Sequence, residues 1–276
     1  MRRWTMFAAL LVGCYQPAAE DTCTVRCPSG VCPSGMTCGT DQLCRKSPSD
    51  QCNKIDGDGG IDANKLCFGS GLIRNFCIAP PAAPLMFATA GTLDTSASNC
   101  SATLMQADGS TLCIFIGTSV VIDAPLRVTG PNPVVFLGVE QVTVTPAGVI
   151  DASSKAGQLI AGAGGASVAG CTPTANLTGN NDPSMTAGGG GAGGSFKGSG
   201  GAGGSGNNGS ATVAGGARGS VIASLTSVQG GCAGGTGGNG TAASGSVGGF
   251  GGGAVYLLSG SLVRVVGKIN ASGAGG

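Results

Sequence analysis

"VVFLGVEQVTVTPAGVIDASSKAG", residues 134–157, and "AVYLLSGSLVRVVGKINASGAGG", residues 254–276, decide how this chain is read. Each runs through an apolar strand, a small turn, an alternating strand and a glycine. Each then reaches Ile-Asp-Ala-Ser or Ile-Asn-Ala-Ser and opens into Gly-Ala sequence. The unit repeats, so the glycine-rich sequence between the copies, about 154–253, is an insertion.

Working outward, Ile114-Phe115-Ile116-Gly117 and Val135-Phe136-Leu137-Gly138 lie twenty-one residues apart. An alternating stretch follows each, Ser119 to Ile122 and Gln141 to Val144. A turn holding proline and a third short strand come next. Further runs rich in Val, Ile and Thr, such as "PLMFATAGTLDT" (84–95) and "PLRVTG" (125–130), end on turn residues and read as strands. A period near twenty with several short strands per unit predicts a mainly β fold of parallel β-helix type. A β-sandwich is the rival, because strand pattern alone does not separate parallel from antiparallel pairing.

"GGGGAGGSFKGSGGAGGSG", residues 188–206, has three readings. Gly198 to Gly203 matches a phosphate-binding G-x-G-x-x-G. However, no strand precedes it, no helical pattern follows, and no acidic residue stands about twenty positions on. A flexible spacer fits the composition. Against that, Cys171 and Cys232 can pair inside the segment, apolar residues such as Leu177, Phe196, Ile222 and Phe250 punctuate it, and a strand must resume at a fixed place after it. The third reading is an ordered set of polyproline-II strands, which glycine at every second or third position allows to approach closely. That reading is preferred. "GGAGGSG" and "GGTGGNG" resemble the glycine-rich bundles of springtail antifreeze proteins and of a receptor kinase of the anaplastic lymphoma type.

The N-terminus reads as an export signal. Met1-Arg2-Arg3 precedes a short apolar run, Trp4 to Val12, too short to span a bilayer. Leu11-Val12-Gly13-Cys14 resembles a bacterial lipobox, which implies lipidation of Cys14 after removal of residues 1–13. No aspartate follows Cys14, which favours the outer membrane and the cell surface. The lipid is the membrane anchor. Residues 14–66 then hold the anchor, a cysteine-rich module and a linker. Residues 67–276 hold the strand-built domain.

Thirteen cysteines less Cys14 leave twelve, an even number that suits disulfides in an exported chain. Six of them fall in Cys23–Cys52, where almost no apolar core exists and cross-links must supply the stability. Cys67 with Cys77, Cys100 with Cys113, and Cys171 with Cys232 are the candidate pairs beyond it. Asp56, Asp58 and Asp62 imitate a calcium loop, but position 6 is Ile61 and no glutamate stands at position 12. No metal or other cofactor is expected.

The chain has no histidine, which removes histidine bases and Ser-His-Asp arrangements. Removing Arg2 and Arg3 with the signal takes the 14 basic residues to 12, against 13 acidic ones. No basic face is visible, which argues against nucleic acid.

"CFGSGLIRNFC", "LCIFIGTSVVI", "IDASSKAG" and "RGSVIASLTSVQGGCAGGTGG" together resemble a family of glycine-rich exported lipoproteins of myxobacteria. The likeness covers Cys67 to Gly276. It implies further glycine-rich units after Gly276, where a second such segment would begin, and it brings no activity to transfer.

The function expected is that of a structural or adhesive lipoprotein without catalysis. Self-association and cell-surface polysaccharide are the partners left open. One alternative is a polysaccharide-active enzyme of the pectate-lyase-like class, built from Asp123, Asp151, Arg127 and Lys155. A glycan- or calcium-binding module is the other.

Overall fold

The computed structural model describes residues 32, 35–39, 44–47, 65–68, 72–73, 76–155, 160–165, 170–172, 174–182, 187–207, 212–241 and 243–274. The chain divides into two compact units, Met1–Ala63 and Asn64–Gly276. In the first unit, β1 (Thr37–Cys38) and β2 (Cys44–Arg45) form an antiparallel hairpin, and Cys44 is bonded to Cys32.

The second unit is mainly β and contains parallel sheets. It opens with the hairpin β3 (Leu66–Phe68) and β4 (Phe76–Ile78), stapled by Cys67–Cys77. Next come β5 (Leu85–Phe87), β6 (Gly91–Asp94), β7 (Ala102–Met105), β8 (Thr111–Ile122), β9 (Pro125–Thr129), β10 (Val134–Val144) and β11 (Val149–Asp151). The short helix α1 (Thr174–Leu177) and the small hairpin β12 (Gly206–Asn207) and β13 (Thr212–Val213) lie within the glycine-rich segment. The chain then returns as β14 (Val255–Ser259), β15 (Leu262–Val265) and β16 (Lys268–Asn270).

Two sheets follow one logic. In the first, β5, β8, β10 and β14 stack parallel, with β15 also parallel on β10. In the second, β6, β9, β11 and β16 stack parallel. Like residues meet across the ladder. Phe136 pairs with Phe115, Gly138 with Gly117, and Val134 with both Cys113 and Val255. The twenty-one-residue spacing of the sequence is this register.

Glycine at 117 and 138 has a steric cause. A Cβ on Gly117 would press on the Ser119 carbonyl and on Leu85, and one on Gly138 would overlap the Gln141 carbonyl. The strand folds tightly just after each glycine, and the β8–β10 register shifts between Gly138 and Gln141.

Burial changes at this break. Val134, Val135, Phe136 and Leu137 are all fully buried, as expected of a parallel strand covered on both faces. Past Gly138 the pattern alternates, with Val142 and Val144 inward and Gln141 outward. The inner core runs through Phe115, Val120, Ile122, Val128, Phe136, Val142, Val144 and Ile150. Phe115 and Phe136 stack with ring centroids 6.0 Å apart, and Phe87 meets Phe136 edge-on at 5.7 Å. A second cluster covers the outer face of the first sheet: Ile73, Phe76 and Ile78 from the stapled hairpin, Leu112, Ile114, Val135, Leu137, and Val228 from the glycine-rich segment.

Candidate functional site

The glycine-rich segment is built as a bundle around residues 187–196. In that stretch Gly189, Ala192 and Ser195 are buried. In residues 231–241 the buried positions are Cys232, Gly235 and Gly238, and in 212–223 they are Gly216, Gly219 and Ile222. A period of three is neither the 3.6 of an α-helix nor the 2 of a strand. It is the repeat of polyproline II.

The hydrogen bonds keep the same period. The amides of Cys232, Gly235 and Gly238 donate to the carbonyls of Ser195, Ala192 and Gly189, at 2.8, 2.8 and 2.7 Å. The amides of Gly190, Gly193 and Phe196 donate to Gly204, Gly201 and Gly198. On a third side, Gly189 and Ala192 donate to Asn180 and Leu177. Farther out, Gly231, Gly234, Gly237 and Gly240 donate to Gly252, Gly249, Ser246 and Ala243. Backbone polar groups with no sheet to join are thus paired between neighbouring segments.

Side-chain volume is excluded where segments touch. A Cβ on Gly191 or Gly194 would overlap the carbonyl oxygens of Gly235 and Cys232. In residues 198–207 the glycines split into two sets. Gly200, Gly203 and Gly206 press on residues 193, 190 and 188, whereas Gly198, Gly201 and Gly204 have open space where a Cβ would stand.

Cys232 occupies the same three-residue series as Gly235 and Gly238. Those two glycines lie against the carbonyls of Leu177 and Asn180. One step earlier in the series a side chain fits, and Cys232 bonds there to Cys171 with Cα atoms 5.5 Å apart. Cys100 and Cys113 are bonded as well, tying the turn before β7 to β8.

A groove of about 820 Å³ opens in the bundle, lined by Gly191, Gly194, Phe196, Gln229, Phe250 and Ala274 among others. Its walls are largely glycine backbone, and among the described residues the side chains around it carry no ionisable group. Such a wall offers backbone amides and carbonyls, the hydroxyls of Ser195, Ser199 and Ser246, the Gln229 amide and two aromatic rings as contacts.

Two of the charged candidates, Arg127 and Asp151, lie on the second sheet. Arg127 and Asp151 are register partners on β9 and β11, with Nη1 3.0 Å from Oδ2. Arg127 also donates to the Ser153 hydroxyl at 3.1 Å. The Ser153 amide and hydroxyl both donate to Asp151 Oδ1. Burial works against the Asp151 carboxylate, but the Ser153 hydrogen bonds and the Arg127 charge outweigh it and hold the carboxyl below its usual range. Asp123 instead accepts from the Thr145 hydroxyl at 2.5 Å. The Lys155 backbone amide donates to Ile160. The structure therefore brings Arg127 and Asp151 together and leaves Asp123 and Lys155 elsewhere.

Sequence reading saw Ile-Asp-Ala-Ser and Ile-Asn-Ala-Ser as a repeat but missed their work. Asp151 with Ser153 and Asn270 with Ser272 form the same side-chain-to-backbone turn at the end of β11 and β16. Asp94 with Ser96, after β6, is a third case, carried by Leu-Asp-Thr-Ser, and Asp108 with Ser110 a fourth. The Asx-x-Ser spacing was the available signal.

Cys14 lies outside the described residues, as do Asp56, Asp58 and Asp62. Among the described residues no group of three His, Cys, Asp or Glu side chains could hold a metal ion, and no helix is long and apolar enough to cross a membrane. No protein-family model, curated protein or solved structure matches this chain.

Proposed function

We propose that this chain is a lipid-anchored protein of the bacterial outer surface that serves a structural or adhesive role without catalysis. Its parallel sheets are coils of a β-helix-like stack, and the glycine-rich insertion is a polyproline-II-like bundle projecting from that stack. The period-three burial shared by residues 187–196, 212–223 and 231–241 carries this reading, because it describes a built, rigid surface and not a spacer. The cross-linked cysteines support it by suiting an oxidising compartment. The lipobox-like Leu11-Val12-Gly13-Cys14 supplies Cys14 as the anchor.

The test is expression of the full chain in a Gram-negative host, with and without Cys14→Ala. Labelled palmitate should enter the parent and not the variant, and protease added to intact cells should cleave only the surface-anchored parent. Label retained by the variant, or a parent protected inside intact cells, would overturn the reading.

A further inference from the structure

Residues 187–196 carry three interleaved series, and the bundle uses two of them. The carbonyls of Gly189, Ala192 and Ser195 accept from Gly238, Gly235 and Cys232, and the amides of Gly189 and Ala192 donate to Asn180 and Leu177. The amides of Gly190, Gly193 and Phe196 donate to Gly204, Gly201 and Gly198, and the carbonyls of Gly190 and Phe196 accept from Gly216 and Ile222. The third series is Gly188, Gly191 and Gly194. Among the described residues, neither the amides nor the carbonyls of these three glycines have a hydrogen-bond partner.

Gly191 and Gly194 line the groove. They stand one polyproline-II turn apart, about 9 Å. The two paired series are matched by neighbouring segments of the same period. A ligand that repeats an amide and a carbonyl at that spacing is another polyproline-II segment. A β-strand repeats at about 6.6 Å, and an α-helix keeps its amides for its own carbonyls. Close contact sets the composition of the segment. Where the bundle's own segments meet, a Cβ on Gly200 or Gly203 would overlap the carbonyl of Gly193 or Gly190. A segment that comes as near must carry glycine at every third residue. The half-buried rings of Phe196 and Phe250 lie in the same wall, and aromatic-lined grooves receive extended peptides. The lining has no ionisable side chain among the described residues, which suits an uncharged ligand. The open series and both rings belong to the insertion. Ala274, which joins the lining, is already tied by its amide to the Phe250 carbonyl at 2.9 Å.

We propose that this groove binds an extended, uncharged, glycine-rich segment of another protein as an added polyproline-II strand, hydrogen-bonded to Gly191 and Gly194. The segment comes from a different protein and not from a second copy, whose own glycine-rich segments are hydrogen-bonded inside its own bundle. The inference rests on the bundle in the function proposed above, and not on the lipid anchor or the surface location.

The experiment is an NMR titration of the nitrogen-15-labelled full chain, carrying Cys14→Ala, with a capped peptide of four Gly-Gly-Ala repeats. Saturable shifts at the amides of Gly191 and Gly194 are expected, with a dissociation constant below about 1 mM, modest because the peptide must be ordered as it binds. The same peptide built with N-methylglycine, which has no N–H to donate, should bind at least tenfold more weakly. Ser246→Trp and, separately, Ser199→Trp, at exposed positions of the lining, should also weaken binding at least tenfold. Val221→Trp, at a position 48 % exposed and outside the lining, should not. Circular dichroism establishes that each variant is folded, and if one groove variant fails to fold the other decides. Amide exchange at Gly189 and Ala192 in the free chain tests the bundle separately. Slow exchange there with no peptide shift at Gly191 and Gly194 overturns the docking proposal alone, and fast exchange overturns the bundle and the proposal together. Stronger binding of maltohexaose than of the peptide would make the groove a glycan site, and shifts at Gly191 and Gly194 on concentrating the chain alone would make it a self-contact. Either result overturns the proposal.

Discussion

The side-chain amide of Gln106 and the backbone of Val228 are joined by two hydrogen bonds, although 122 residues of chain separate them. Nε2 donates to the Val228 carbonyl at 2.9 Å, and the Val228 amide donates to Oε1 at 2.7 Å. Nε2 also donates to the Ser110 hydroxyl at 2.7 Å. Val228 is 5 % exposed and sits in the outer apolar cluster, so this clamp fastens the glycine bundle to the sheet.

Replacing Gln106 by Glu keeps the shape and the acceptor but removes the donor, and it sets a carboxylate against the Val228 carbonyl. Leaving a buried backbone group without its partner costs about 1–3 kcal/mol. Chemical denaturation of Gln106→Glu should show a loss of that size. Hydrogen exchange should quicken at Val228 and Gly231 more than at Val142. A variant as stable as the parent would show that the clamp follows docking and does not cause it.

Gly201 and Gly203 stand two residues apart and answer differently to one methyl group. A Cβ on Gly203 meets the Gly190 carbonyl and the Gly216 amide, so Gly203→Ala must push two segments apart, at about 1–3 kcal/mol. A Cβ on Gly201 meets nothing within 4 Å. Gly201→Ala should be neutral, or stabilising by up to about 1 kcal/mol, because alanine narrows the unfolded ensemble. Thermal melts of the two variants, side by side, measure the contrast. Equal and small effects would mean that the segments are not in contact.

Asp151 links stability to pH. Its carboxyl is held below the usual range in the fold. The folded chain therefore binds fewer protons here than the unfolded one as pH falls through the unfolded value of about 3.9. The stabilisation is complete above that value and is lost as pH drops through the lowered folded pKa. Asp151→Asn keeps the Oδ1 acceptor for Ser153, as Asn270 does for Ser272, but it removes the charge and puts an amide nitrogen where Oδ2 accepts from Arg127. Urea unfolding should show the variant weaker than the parent at pH 7, with the gap closing toward pH 2. A constant gap would assign the effect to shape and not to charge.

The stacked strands were legible because parallel in-register pairing places like on like. Phe115 over Phe136 and Gly117 over Gly138 leave a written period in the sequence. The candidate cysteine partners could be named for a simpler reason: Cys67 and Cys77, or Cys100 and Cys113, are near neighbours along the chain. The wiring of the bundle was not legible. Gly201 and Gly203 carry the same letter, and only the backbone hydrogen bonds of their neighbours tell the open one from the crowded one. The Gln106–Val228 clamp was equally hidden, since neither residue belongs to a motif. Arg127 and Asp151 read as scattered turn residues until the register of β9 and β11 set them side by side.

The Cys171–Cys232 bond separates two accounts of the bundle's stability. If the bundle held through its hydrogen-bond ladders alone, the bond would be dispensable. Yet glycine loses more backbone freedom on ordering than any other residue and has no side chain to bury in return. The bond closes a separation of 61 residues, which in the chain-entropy model lowers the freedom of the unfolded segment by about 4 kcal/mol. It also fixes the register of Cys232, Gly235 and Gly238 against residues 174–182, because all three positions share one face. Replacing both cysteines by alanine should therefore loosen the bundle selectively. Exchange at the amides of Gly189, Ala192, Gly235 and Gly238 should rise by two orders of magnitude or more, while Phe136 and Val144 in the sheet stay protected. The same pattern should appear in the parent on reduction. Unchanged protection at Gly235 in the double variant would show that the three-residue ladders suffice to order the glycines.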